Sequence, residues 1–178
     1  MMDPRTFTRI AREATFHDAG HGFDVFGLSP PALASVVEMA APLYERYFRV
    51  ESDGIENVPT HGAAILVANH GRAWPLDVAM LCLDILRKLD PPRIPRVIAD
   101  GFAPRLPLVS TLFARYGVVT GTPTNVRHLL EHAELVAMWG PSVAEHAIRH
   151  RVPVIPVAIA RASAHYRLVY GPPRRIVS

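Results

Sequence analysis

The chain alternates between short runs of consecutive apolar residues and longer stretches in which apolar positions return every three or four residues. The short runs predict strands at 48–52, 63–67, 96–99, 117–120, 135–139, 152–159 and 167–170. The longer stretches predict helices at 29–48, 76–89, 108–116, 124–132 and 142–150. Thr122-Pro123 and Pro141-Ser142 are good helix starts, because a hydroxyl or a proline suits the first turn. Pro42 should kink the first helix or end it early, since it has no N–H to donate. That helix carries an apolar stripe (Leu33, Val36, Val37, Ala40, Tyr44, Tyr47) that suits either its own sheet or a bilayer surface.

Alternation of strand and helix calls for parallel pairing through crossovers. The expected fold class is therefore α/β, a mostly parallel sheet with helices on both faces. Residues 1–30, with Gly20, Gly22, Gly27 and Pro30, read as a loose lead-in, and 31–178 as a single domain.

Composition narrows the class without changing the fold. An apolar fraction of 49% and a charged fraction of 20% over 178 residues describe a globular chain with a core, not a disordered one. No window approaches the ~20 apolar residues of a membrane-spanning helix. No apolar h-region follows Met1 to Arg5, so a secretory signal is not expected and the chain reads as cytoplasmic. Cys82, the single cysteine, excludes an internal disulfide and reads as a small core residue. The formal charge of +3 permits weak attraction to anionic surfaces. The arginines are scattered and lack interleaved aromatics, which argues against nucleic acid.

The chemistry gathers after the most apolar early strand. Ala64 to Ala68 runs directly into Asn69-His70, Gly71 allows a bend, and Asp77 falls in the first turn of the next helix. A histidine at a strand end is largely neutral at pH 7 and can accept a proton. A carboxylate on its other ring nitrogen would fix the tautomer. Seven residues on one continuous helix would separate the pair by ~10.5 Å, so Gly71 to Trp74 must be a loop that folds Asp77 back. Spacing alone leaves a second reading open, in which Asp77 complements the helix dipole and His70 is a satisfied loop residue.

His128, Glu131 and His132 match the H-x-x-E-H form of inverted zinc proteases. Val126, Leu129, Leu130 and Ala133 define the buried face of that helix, so both histidines should point outward, and no carboxylate follows at a third-ligand distance. His146 and His150 repeat the spacing and read as a solvated face. No metal site is expected.

Asn69-His70-Gly71-Arg72-Ala73-Trp74-Pro75-Leu76-Asp77 resembles the first motif of the glycerophospholipid O-acyltransferase superfamily, in its Asn-His-x-Gly-x-x-Pro-x-Asp branch, typified by 1-acylglycerol-3-phosphate acyltransferases. The resemblance extends from about Leu33 to Pro172. It takes in Gly54-Ile55-Glu56-Asn57-Val58-Pro59, Leu112-Phe113-Ala114-Arg115-Tyr116-Gly117, and Val152-Pro153-Val154-Ile155-Pro156-Val157-Ala158-Ile159. It implies acyl transfer from acyl-CoA or acyl carrier protein (acyl-ACP) to the hydroxyl of a lysophospholipid or acylglycerol. His70 would then be the base and Asp77 its orienting acid, with neither metal nor cofactor. Asn69, Arg72, Trp74 and Arg115 are the residues assigned to substrate, and Trp74 suits a lipid entrance or the core equally well. A membrane surface, approached peripherally from its inner face, is the implied partner.

Two features depart from the family's pattern. Leu135 to Trp139 is followed by Gly140-Pro141-Ser142, where relatives carry a Pro-Glu-Gly-x-Arg block thought to hold the acceptor. The domain thus reads as shortened near 140, and as shortened again at its C-terminus. Gly117 to Gly121 lacks the arginine that relatives use for a phosphate, and Arg115 or Arg127 would have to substitute. The alternative is therefore a catalytically silent paralogue that keeps the fold and binds lipid.

Overall fold

A computed structural model describes residues 16–69, 74–99, 107–162 and 165–176. Within it the apolar runs form β1 (Glu51–Asp53), β2 (Ala64–Ala68), β3 (Pro95–Ala99), β4 (Val118–Thr120), β5 (Leu135–Met138), β6 (Val154–Ala162) and β7 (His165–Tyr170). The helical stretches form α1 (Pro30–Pro42), α2 (Trp74–Lys88), α3 (Pro107–Arg115), α4 (Pro123–Glu131) and α5 (Ser142–His150). The strands make one sheet in the order β1-β7-β6-β2-β5-β3-β4.

From β6 to β4 the neighbours are parallel, with helices as the crossovers. β7 is the exception and pairs antiparallel with β6, from Val157↔Tyr170 to Ala162↔His165. The chain between these strands is too short for a crossover, so it returns as a hairpin. β1 then adds parallel to β7 and closes that edge.

The sheet is covered on both faces. Leu66 and Ala68 of β2 pack with Leu81 and Ile85 of α2. Ile65 packs on the other side with Leu129 and Leu130 of α4 and Ala147 of α5. Burial on both faces explains why β2 reads as an unbroken apolar run. A third cluster joins Leu33 and Val37 of α1 to Met80 and Leu83 of α2. The stripe on α1 thus meets its own fold, while Met39, Leu43 and Tyr47 recur on the exposed side.

The early end expected at Pro42 is where the α-helix stops. The chain continues as a π segment, Leu43–Tyr47, in which the Phe48 N–H reaches the Leu43 carbonyl at 2.8 Å. Gly54 and Asn57 anchor the chain before β2. The Asn57 amide donates to the Tyr170 carbonyl at 2.8 Å, and a Cβ on Gly54 would stand 2.3 Å from that same oxygen.

The described part of the lead-in is fastened rather than loose. Asp24 accepts from the N–H groups of Phe26 (2.9 Å) and Leu28 (2.7 Å), and its other oxygen pairs with Arg96 of β3, which is 1% exposed. A buried guanidinium needs a carboxylate, and the lead-in supplies it. Among the described residues, no helix is long and apolar enough to cross a membrane.

Candidate active site

β2 delivers Asn69 to the carboxyl-terminal end of the sheet, where open α/β sheets place their sites. The Asn69 side chain extends the β2–β6 ladder by one rung. Its Nδ2 donates to the Ile159 carbonyl at 2.9 Å, and its Oδ1 accepts from the Ile159 N–H at 2.6 Å. A carboxamide mimics a peptide group, so the main chain is released from pairing after Ala68 while the strand end stays pinned to β6. The role given to Asn69 in the sequence was substrate contact, whereas in the structure its amide is engaged by the protein backbone.

His70 and Arg72 lie outside the described residues, as does the side chain of Trp74. α2 begins at Trp74, two residues before the expected start, and carries Asp77 in its first turn. Asp77 is 5% exposed. Its Oδ1 accepts the hydroxyl of Tyr166, from β7, at 2.8 Å. Asp77 keeps the first-turn position that complements the helix dipole, and it is folded into the core beneath a tyrosine donor. Burial, then the bond to Asp77, raises the Tyr166 hydroxyl above its ordinary range, and Arg161 opposes this. The phenol therefore remains a donor at neutral pH.

Two turns along α2, the same geometry repeats. Asp84 is fully buried and accepts from the hydroxyls of Tyr44, Ser52 (3.1 Å) and Tyr170 (2.8 Å), with Lys88 Nζ at 2.9 Å. Seven helical residues advance ~10.5 Å and four strand residues ~13 Å, so Asp77 and Asp84 meet Tyr166 and Tyr170 like rungs of one ladder. The tyrosines share the inward face of β7, whose residues alternate between exposed and buried. That alternation, with two hydroxyls needing buried partners, was the signal by which Tyr166 could have been found.

Immediately after Asp77, Val78, Ala79 and Cys82 border an apolar cavity of about 230 Å³, which Val36, Ala40 and Phe113 help to enclose. Burial there pushes the Cys82 thiol up to about 12, in keeping with an inert core residue.

Arg115 is not brought to this site. It ends α3 just ahead of β4, at the amino-terminal ends of the parallel strands, with its guanidinium 6.0 Å over the Phe23 ring. Because α3 runs back along the sheet, Arg115 finishes at the end opposite Asn69.

The histidine pairs meet expectation only in part, since His132 is exposed. His128 is half-buried against Phe26 and stacks on His132, whose Nδ1 engages the His128 carbonyl at 2.8 Å. Among the described residues, no three His, Cys, Asp or Glu side chains are placed to hold a metal ion together. His146 is not solvated. It is 6% exposed because it continues the stripe of Val143 and Ala147, and burial lowers its pKa.

β5 ends at Met138 and α5 begins at Ser142, so the segment between them is three residues long. There is no room for the acceptor-holding block that the family resemblance leads one to look for.

Residues 49–138, half of the chain, match the model of the family described as Acyltransferase. An uncharacterized protein of Mycobacterium bovis is 30% identical over 120 residues, 67% of this chain and 34% of that protein. An uncharacterized protein of Mycobacterium tuberculosis matches with the same figures. One of Mycobacterium leprae is 30% identical over 117 residues, 65% of this chain and 32% of its own length. The chain thus spans about a third of the length of the curated relatives it matches.

Proposed function

The chain belongs to the acyltransferase family, and from that premise we propose that it transfers an acyl group from acyl-CoA or acyl-ACP to the hydroxyl of a glycerolipid acceptor. His70 takes the proton of the acceptor hydroxyl. The oxygen attacks the thioester carbonyl, the new C–O bond forms, and the C–S bond breaks. The imidazolium returns its proton to the departing thiolate. Asp77 orients the imidazole, and no metal, cofactor or covalent acyl-enzyme takes part. The observation that carries this reading is Asp77 itself, a carboxylate buried at the head of α2 beside the end of β2. The apolar cavity beginning at Val78 supports it, because it offers an acyl chain a dry lining that starts one residue after Asp77. The exposed Met39, Leu43 and Tyr47 support a peripheral approach to the inner face of a membrane.

The short connection from β5 to α5 favours a second reading, in which the domain binds lipid without turning it over. One assay separates the two. The purified chain is given a radiolabelled acyl-CoA and a lysophospholipid, alongside His70→Ala. Transfer by the wild type and a loss of about 10²-fold or more in the variant is the expected result. Equal turnover in both proteins overturns the dyad, and binding without turnover in the wild type establishes the second reading.

A further inference from the structure

β6 turns every second residue toward α2, so Ile155, Val157, Ile159 and Arg161 share one face. The first two are buried, Ile159 is half-buried, and Arg161 is exposed. An inward row of apolar side chains thus ends on a guanidinium, where alternation alone calls for another apolar residue. Directly across the antiparallel pair stands Tyr166, on the same face of the sheet.

Tyr166 is what Arg161 meets. The guanidinium carbon lies 6.0 Å from the centre of the Tyr166 ring, within the range of a cation–π contact. Burial and the bond to Asp77 push the pKa of the phenol up, and Arg161 draws it back. Among the described residues, Arg161 forms no ion pair with a carboxylate. Arg167, on the opposite face of the same hairpin, differs in this respect, since Asp53 accepts from it at 2.9 and 3.2 Å. One arginine is a surface ion pair, and the other is directed at an aromatic ring and its hydroxyl.

That hydroxyl donates to Asp77 at 2.8 Å. Ile159, one inward position before Arg161, holds Asn69 through bonds of 2.9 and 2.6 Å. The end of the β6–β7 hairpin therefore braces both sides of the motif, Asn69 at the strand end and Asp77 on the helix. A cation beside a hydroxyl strengthens it as a donor, because hydrogen bonds in a chain polarise one another. It also restrains the ring that carries the hydroxyl.

We propose that Arg161 is a positioning residue for acyl transfer: by holding the Tyr166 ring and polarising its hydroxyl, it fixes Asp77 in the orientation that the base requires. The proposal rests on the acyl-transfer reading of His70 and Asp77. The influence of Arg161 passes through Tyr166, so it can be tested without altering either member of the dyad.

Steady-state transfer by the full chain, with a labelled acyl-CoA and a lysophospholipid, provides the test. Arg161→Gln lowers kcat about threefold with KM unmoved, and Arg161→Lys, which keeps a cation over the ring, restores part of the loss. In a Tyr166→Phe background Arg161→Gln costs nothing further, since the link to Asp77 is already gone. Additive losses overturn the proposal, as does a kcat that Arg161→Gln leaves unmoved. A raised KM with kcat unmoved also overturns it, because Arg161 is then a substrate contact. Nuclear magnetic resonance of isotope-labelled tyrosine gives a readout free of turnover. The ring signal that Tyr166→Phe removes shifts in Arg161→Gln and moves back in Arg161→Lys, and a signal that stays in place overturns the proposal. A wild type without turnover, or one equalled by His70→Ala, defeats the acyl-transfer reading and the proposal together. An unmoved kcat in Arg161→Gln defeats the proposal alone.

Discussion

Asp77 and Asp84 lie on one face of one helix, and both are buried beneath a tyrosine of β7, yet their surroundings differ. Asp84 sits where the π segment, β1, β7 and α2 converge. Both its oxygens are taken, by Tyr44, Ser52, Tyr170 and Lys88. Such a carboxylate locks elements together, and burial together with Asp84 holds the Tyr44 and Tyr170 hydroxyls far above their ordinary range. Asp77 sits in the first turn of α2, and Tyr166 takes its Oδ1. A buried carboxylate is thus no sign of chemistry by itself. Its position relative to a strand end, and what its partners connect it to, separate the clamp at Asp84 from the orienting role proposed for Asp77.

The sharpest test of that contrast is Asp77→Asn. The amide keeps an acceptor for Tyr166, so unfolding in urea should move by no more than about 1 kcal/mol. Acyl transfer should fall by about 10²–10⁴-fold, because the imidazole loses the charge that stabilises its cationic form. A variant that unfolds as readily as its Asp84 counterpart would erase the distinction. Asp84→Asn should lose about 2–4 kcal/mol, some 10 °C in thermal midpoint, since an amide cannot serve four converging donors. Its surviving folded fraction should turn over at the wild-type rate.

The tyrosines give a smaller and cleaner comparison. Tyr166→Phe and Tyr170→Phe should each cost about 1 kcal/mol of stability. Only Tyr166→Phe should lower kcat, by up to about tenfold and with KM unmoved, because its hydroxyl positions Asp77. Equal kinetics in both would reduce Tyr166 to a packing role.

The smallest effect lies on the other face of the sheet. Burial lowers the pKa of His146, so the unfolded chain binds its proton more readily than the folded one. The contribution is fully present above about pH 6.5 and is lost as pH falls below that value. Chemical denaturation between pH 5 and 8 should show this slope in the wild type and a shallower one in His146→Gln, with both aspartates unaffected.

The strands were legible because β2, β5 and the first half of β6 are buried on both faces and can only be continuous apolar runs. The antiparallel turn to β7 was less so, since nothing in 154–170 states a direction except the shortness of the connection. His146 was misplaced because Glu145 and Arg149 advertise a polar helix, although Val143 and Ala147 already marked the stripe it continues. Asn69 and Asp77 were legible as a motif, but their physical duties were not. A ladder rung on Ile159 and a bond to Tyr166 join residues about ninety positions apart, and no local pattern records such a pairing.

Sequence by itself determined what short-range chemistry can determine: the order of elements, the apolar faces, a strand ending in Asn-His and a family to which the motif belongs. Tertiary structure decided which polar groups were buried together. It made Asp84 a clamp, gave Asp77 its tyrosine and moved Arg115 to the far end of the sheet. The reason is that burying a charge is tolerable only beside partners, and those partners come from whichever distant strands the topology sets alongside.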